Sequence, residues 1–71
     1  MNEPNIFKIK MAMMGASAKD VISLLRRRGV LVNQPELSCA IHGGVQPKHR
    51  LIRDQLIAIF DEWEHDMAAS E

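Results

Sequence analysis

The stretch from Ser17 to Gly44, SAKDVISLLRRRGVLVNQPELSCAIHGG, decides the fold of this chain, because it holds two helix starts and two helix stops. Ser17 is followed three residues on by Asp20, so a hydroxyl and a carboxylate can satisfy the free N–H groups of a first turn between them. Val21, Leu24, Leu25 and Arg28 recur at steps of three and four, and Gly29 stops the pattern. Asn33 repeats the start: Pro35 suits a first turn, where its missing N–H is harmless, and Glu36 completes an N-x-x-E cap. The helix that follows is short, since Gly43-Gly44 cannot prolong it cheaply.

Working outward, the apolar run from Ile6 to Met14 ends at Gly15 and is opened by Asn2 or Glu3 ahead of Pro4. Downstream, Pro47 opens a last helix on which Ile52, Leu56, Ile59, Phe60, Trp63 and Met67 fall within about 100° of arc. There is no Tyr, and the only hint of a strand is Val30-Leu31-Val32. The pattern predicts a single all-α domain over residues 1–71, with helices at about 4–14, 17–28, 34–42 and 47–67. Val21, Leu25, Leu37, Ile41, Ile52, Leu56 and Phe60 are the expected core.

Seventy-one residues with 46% hydrophobic and 25% charged side chains make a globular domain with a small core. No apolar run reaches the ~20 residues a bilayer demands, and the N-terminus has no basic segment leading into an apolar one. A cytoplasmic protein is expected. Cys39 stands alone, which excludes an internal disulfide and a four-cysteine zinc site; beside Ala40 it is expected to be half-buried and inert. Net charge is zero but uneven: nine Lys and Arg against Glu3, Asp20 and Glu36 give residues 1–53 a net +6, and six acids give residues 54–71 a net −6. Such polarity suits an anionic partner.

No metal, cofactor or catalytic site is expected. Cys39, His42 and His49 form C-x2-H-x6-H and Glu62-His65 an E-x-x-H pair, but structural zinc needs four ligands in paired spacing, and di-iron sites need carboxylates from several helices. P-loop, G-x-G-x-x-G and G-x-S-x-G motifs are missing, so no small-molecule substrate is implied. The basic run Arg26-Arg27-Arg28 ends a helix, where cations are favoured by ~0.3–1 kcal/mol. Arg28 shares the Val21/Leu25 side, so its stem should pack and leave the head free. The first helix carries two apolar stripes, Ile6/Ile9/Met13 and Phe7/Met11/Met14, with Lys10 between them; only one can face the core. Phe7, Met11 and Met14, with Trp63, are taken as the partner-facing set, and Leu51 and Ile57 lie off the main stripe of the last helix.

The order of Ser17-Ala18-Lys19-Asp20-Val21 followed by Pro35-Glu36-Leu37-Ser38-Cys39-Ala40-Ile41-His42-Gly43 resembles the helix-turn-helix of small phage repressors and Cro-type regulators over roughly residues 6–60. The segment Arg26–Asn33 is longer than the usual tight turn by about four or five residues, as in some prophage regulators. The resemblance implies a compact four- or five-helix lambda-repressor-like domain that binds operator DNA, as a homodimer on a two-fold site. Gln34, Ser38 and His42 share one face of the short helix and are the expected base contacts. Lys19, Lys48, His49 and Arg50 stand where that family touches phosphate. The alternative is an antirepressor-type module on the same fold, which binds a phage repressor and blocks its DNA surface; zero net charge and surplus apolar faces favour it.

Overall fold

The first three helices each begin where a side chain takes up unpaired N–H groups, and these caps fix where they start. The structure is a computed structural model that describes residues 5–69. Helix α1 spans Ile6–Met14 and is capped by Asn5, whose side chain accepts from the N–H groups of Phe7 and Lys8 at 3.0 and 3.3 Å. The start expected at Asn2-Glu3-Pro4 lies outside the described residues; Asn5 is extended rather than helical, which moves the beginning of α1 from 4 to 6. Asn5 also donates Nδ2–H to the carbonyl of Ile41 at 3.0 Å and so pins the start of α1 to the far end of α3.

Helix α2 spans Ala18–Arg27 and carries the Ser17/Asp20 capping box. The Ser17 N–H donates to Asp20 Oδ2 at 2.9 Å, and this bond with that from the Ser17 hydroxyl holds the Asp20 carboxyl below its ordinary acidity range. Helix α3 spans Gln34–Ile41 behind the matching Asn33/Glu36 box, with Pro35 in its first turn. Helix α4 spans Pro47–Ala69; its 23 residues run about 35 Å at 1.5 Å per residue, close to the longest dimension of the molecule, 38 Å.

All seven expected core residues are buried against one another, and Ile59, from the apolar stripe of α4, joins them. So do Val30, Ala40 and Val32. The segment between α2 and α3 alternates, with Val30 and Val32 inward and Leu31 outward, yet no strand occurs among the described residues. Gly29 turns the chain at φ 85°, and the Val30 N–H donates back to the Leu25 carbonyl at 2.9 Å. That bond aims both valines under the helices. At the other end of α4 the apolar stripe outruns its cover: Trp63 is half-buried and Met67 is exposed. Met67 therefore adds nothing to the core.

Helix α1 turns the opposite way from that expected of a partner-facing set. Phe7, Met11 and Met14 pack on the core, with the rings of Phe7 and Phe60 at 6.3 Å between centroids. Lys10 pairs with Glu64 of α4, and this bond together with the Phe7 contact sets the rotation of α1. Ile6, Ile9 and Met13 are left outside.

Candidate nucleic-acid interface

Helix α3 is held at both ends, which gives its outer surface a fixed orientation. At its C-terminus His42 is the cap residue, Gly43 adopts φ 94°, and the Gly44 N–H donates to the Cys39 carbonyl at 2.8 Å. Arg53 reaches across from α4 and donates Nη1–H to the carbonyls of Ala40 at 2.9 Å and Gly44 at 2.6 Å, tying α4 to the turn that ends α3.

Leu37, Ala40 and Ile41 point inward, and Gln34, Ser38 and His42 are exposed. These three polar residues share a groove of about 230 Å³ with Lys8 and Met11 of α1 and Ala18 of α2. The floor is apolar and the rim carries an amide, a hydroxyl, an imidazole and an ammonium group. His42 Nδ1 lies 2.8 Å from the Ser38 carbonyl oxygen. A carbonyl can only accept, so Nδ1 carries the hydrogen in that bond, and in the neutral ring Nε2 is left as an acceptor.

The expected phosphate contacts divide into two pairs. Lys19 and Arg50 have no ion-pair partner among the described residues. Lys48 is bound to Glu36 at 2.6 Å, and that contact, with the Asn33 N–H, lowers the pKa of the Glu36 carboxyl. On a helical wheel Glu36 lies some 160° from Ser38. Lys48 is thereby drawn to the flank of α3 away from the polar stripe. His49 is half-buried, and its Nδ1 is enclosed beneath Gly44 with no hydrogen-bond partner among the described residues. Neither Lys48 nor His49 stands as a free contact on the stripe.

Three features differ from, or add to, the sequence reading. Lys8 is exposed in the groove and unpaired among the described residues, because α1 lies alongside the polar stripe of α3. Cys39 is exposed rather than half-buried: it lies about 150° round the helix from the centre of the buried side, an angle the wheel already contained. Arg28 does not leave its head free. Its Nε–H donates to Gln55 at 2.6 Å and its Nη1–H to Glu62 at 3.1 Å, and with Lys10–Glu64 this brings part of the acidic C-terminal half back onto the basic body. Lys8, Lys19, Arg26, Arg27 and Arg50 have no ion-pair partner among the described residues, and Arg53 is held by backbone carbonyls instead.

No three His, Cys, Asp or Glu side chains among the described residues gather into a metal-binding group. No helix among them is long and apolar enough to cross a membrane. Comparison of the chain with protein-family models, with curated proteins and with solved structures gives no match.

Proposed function

We propose that this protein binds duplex DNA through α3, as a small phage-type transcriptional regulator with a lambda-repressor-like helix-turn-helix built from α2 and α3. The observation that carries the proposal is the rigid polar stripe of Gln34, Ser38 and His42, exposed and flanked by the unpaired Lys8 of α1. A short helix of this kind fits a major groove ~12 Å wide. Gln34 can bond adenine through two atoms, Ser38 can bond several bases, and neutral His42 offers Nε2 to an exocyclic amine. Lys8 and Lys19 supply phosphate contacts at the starts of α1 and α2, while Asp20 and Glu36 are occupied in capping boxes.

The test is selection of bound sequences from a random duplex library, followed by fluorescence-anisotropy titration of the selected duplex. Gln34→Ala should weaken binding by about 1–3 kcal/mol on that duplex and hardly at all on random DNA. Lys19→Ala should weaken both alike and lower the salt slope by about one. A library that emerges unselected refutes the proposal.

A second function, an antirepressor-type module that binds a repressor protein, is favoured by the exposed apolar stripe Ile6/Ile9/Met13 and by zero net charge. It predicts no sequence selection, and loss of repressor binding on Ile9→Glu.

A further inference from the structure

His42 is the one member of the polar stripe whose hydrogen-bonding character changes with pH, and its ring is pinned by its own helix. The Ser38 carbonyl oxygen accepts from the His42 backbone N–H at 3.0 Å and from Nδ1–H at 2.8 Å, and the Ser38 hydroxyl oxygen lies 3.5 Å from the same ring nitrogen. Nδ1 keeps its hydrogen in both protonation states, so this anchoring is the same in each. Gaining a proton therefore alters one atom. Nε2 passes from acceptor to donor while the ring stays in place, a change that imidazoles make between about pH 5 and pH 8.

The groups around the ring leave Nε2 to a ligand. In the groove that His42 shares, α1 contributes Lys8 as the charged residue and α2 contributes Ala18. On α3 itself Cys39 stands one turn back, and Glu36 is paired with Lys48. At the end of α3, Arg53 of α4 is occupied by the carbonyls of Ala40 and Gly44, and His49 lies beneath Gly44. Among the described residues no carboxylate lines the groove, and His42 has no ion pair.

We infer, resting on the DNA-binding reading of α3, that His42 sets base choice at one position of the bound site and changes that choice with pH. Neutral, its Nε2 accepts from an exocyclic amine, N4 of cytosine or N6 of adenine. Cationic, the same atom donates. Guanine is then the best partner, because its major-groove edge offers two acceptors, O6 and N7, and no amine. The base facing His42 passes from cytosine or adenine to guanine as the imidazole takes up its proton. Gln34 and Ser38 do not titrate, so the rest of the site is read alike in both states.

The test is selection of sequences by the full chain from a random duplex library, run in parallel at about pH 8 and about pH 5.5. The lower value stays above the range in which Asp20 and Glu36 take up protons, so the capping boxes hold. One base pair should differ between the two selected pools. In anisotropy titrations each selected duplex should be preferred by about tenfold at its own pH, within the range for a single mismatched pair. His42→Gln should show one preference at both. Imidazole 15N shifts of the free chain at about pH 8 should report a neutral His42 ring protonated at Nδ1. The same pool at both pH values overturns the inference and leaves DNA binding standing. So does equal tightening on every duplex at low pH, which would make His42 a phosphate contact, or a change of base that survives in His42→Gln. A neutral ring protonated at Nε2 overturns it without any DNA. A library unselected at both pH values refutes DNA binding itself, and the inference with it.

Discussion

Replacing Gly44 by Ala should destabilise the domain by about 1–3 kcal/mol, the range for forcing an extra carbon into a packed site. A Cβ at this position would lie 2.1 Å from His49 Nδ1, 2.7 Å from His49 Cγ and 2.9 Å from the Cys39 carbonyl oxygen. One obstacle is a half-buried ring and the other is backbone, so neither can simply swing aside. The turn itself is also tied: the Gly44 N–H donates to Cys39 at 2.8 Å and its carbonyl accepts from Arg53 at 2.6 Å. For a domain of this size, each kcal/mol moves the melting temperature by about 4–8 °C, so the loss is easily resolved by thermal and urea denaturation followed at 222 nm. Removing the ring relieves only one obstacle. The pair Gly44→Ala/His49→Ala should therefore be more stable than the sum of the single losses predicts, with a coupling of at least ~0.5 kcal/mol. Gly44→Ala within 0.5 kcal/mol of wild type, or strictly additive losses, would refute the close approach of His49 to this turn.

Truncating Leu56 to Ala, at a fully buried position, should cost about 2–5 kcal/mol and leave much of the protein unfolded at 25 °C by urea titration. Arg53→Ala should cost about 1.5–3 kcal/mol, because Ala40 and Gly44 lose a charged donor, and hydrogen exchange should speed up first at the end of α3. The Asp20 and Glu36 carboxyls both have folded-state pKa values held below the unfolded ones, 3.8 and 4.5, so their contribution is fully present above the unfolded values and is lost as pH falls through the lower folded ones. Stability measured from pH 6 down to pH 3 should fall in that window, and Glu36→Gln should fall less steeply than wild type.

The starts of α2 and α3 were legible in the sequence because caps are local: Ser17 with Asp20, Asn33 with Glu36, and the turns at Gly15, Gly29 and Gly43 need no distant partner, whereas the Asn5 cap of α1 was missed. The main core followed from periodicity on α2, α3 and α4. What periodicity could not supply was the choice between two equivalent stripes on α1, which depends on Phe60 and Glu64, more than fifty residues away in sequence. The burial of Val30 and Val32 was hidden for a similar reason, since two apolar residues in an extended linker point nowhere until the helices around them are placed. Charge was the least legible property. Counting located the cations, but only packing separates Lys48, held by Glu36, from Lys8 and Lys19, which stand free of ion pairs. His42 and Ser38 were readable as one face; the bond between them that fixes the imidazole hydrogen was not.

The most direct test of the proposed DNA-binding surface is a two-dimensional 1H–15N NMR titration of the labelled chain with a selected duplex. Amides from Gln34 to His42, with those of Lys8 and Lys19, should shift in proportion to bound DNA, while those from Ile57 to Glu64 on α4 stay in place. Shifts confined to α1 and α4 with α3 unmoved, or no shifts at all at saturating duplex, would contradict it.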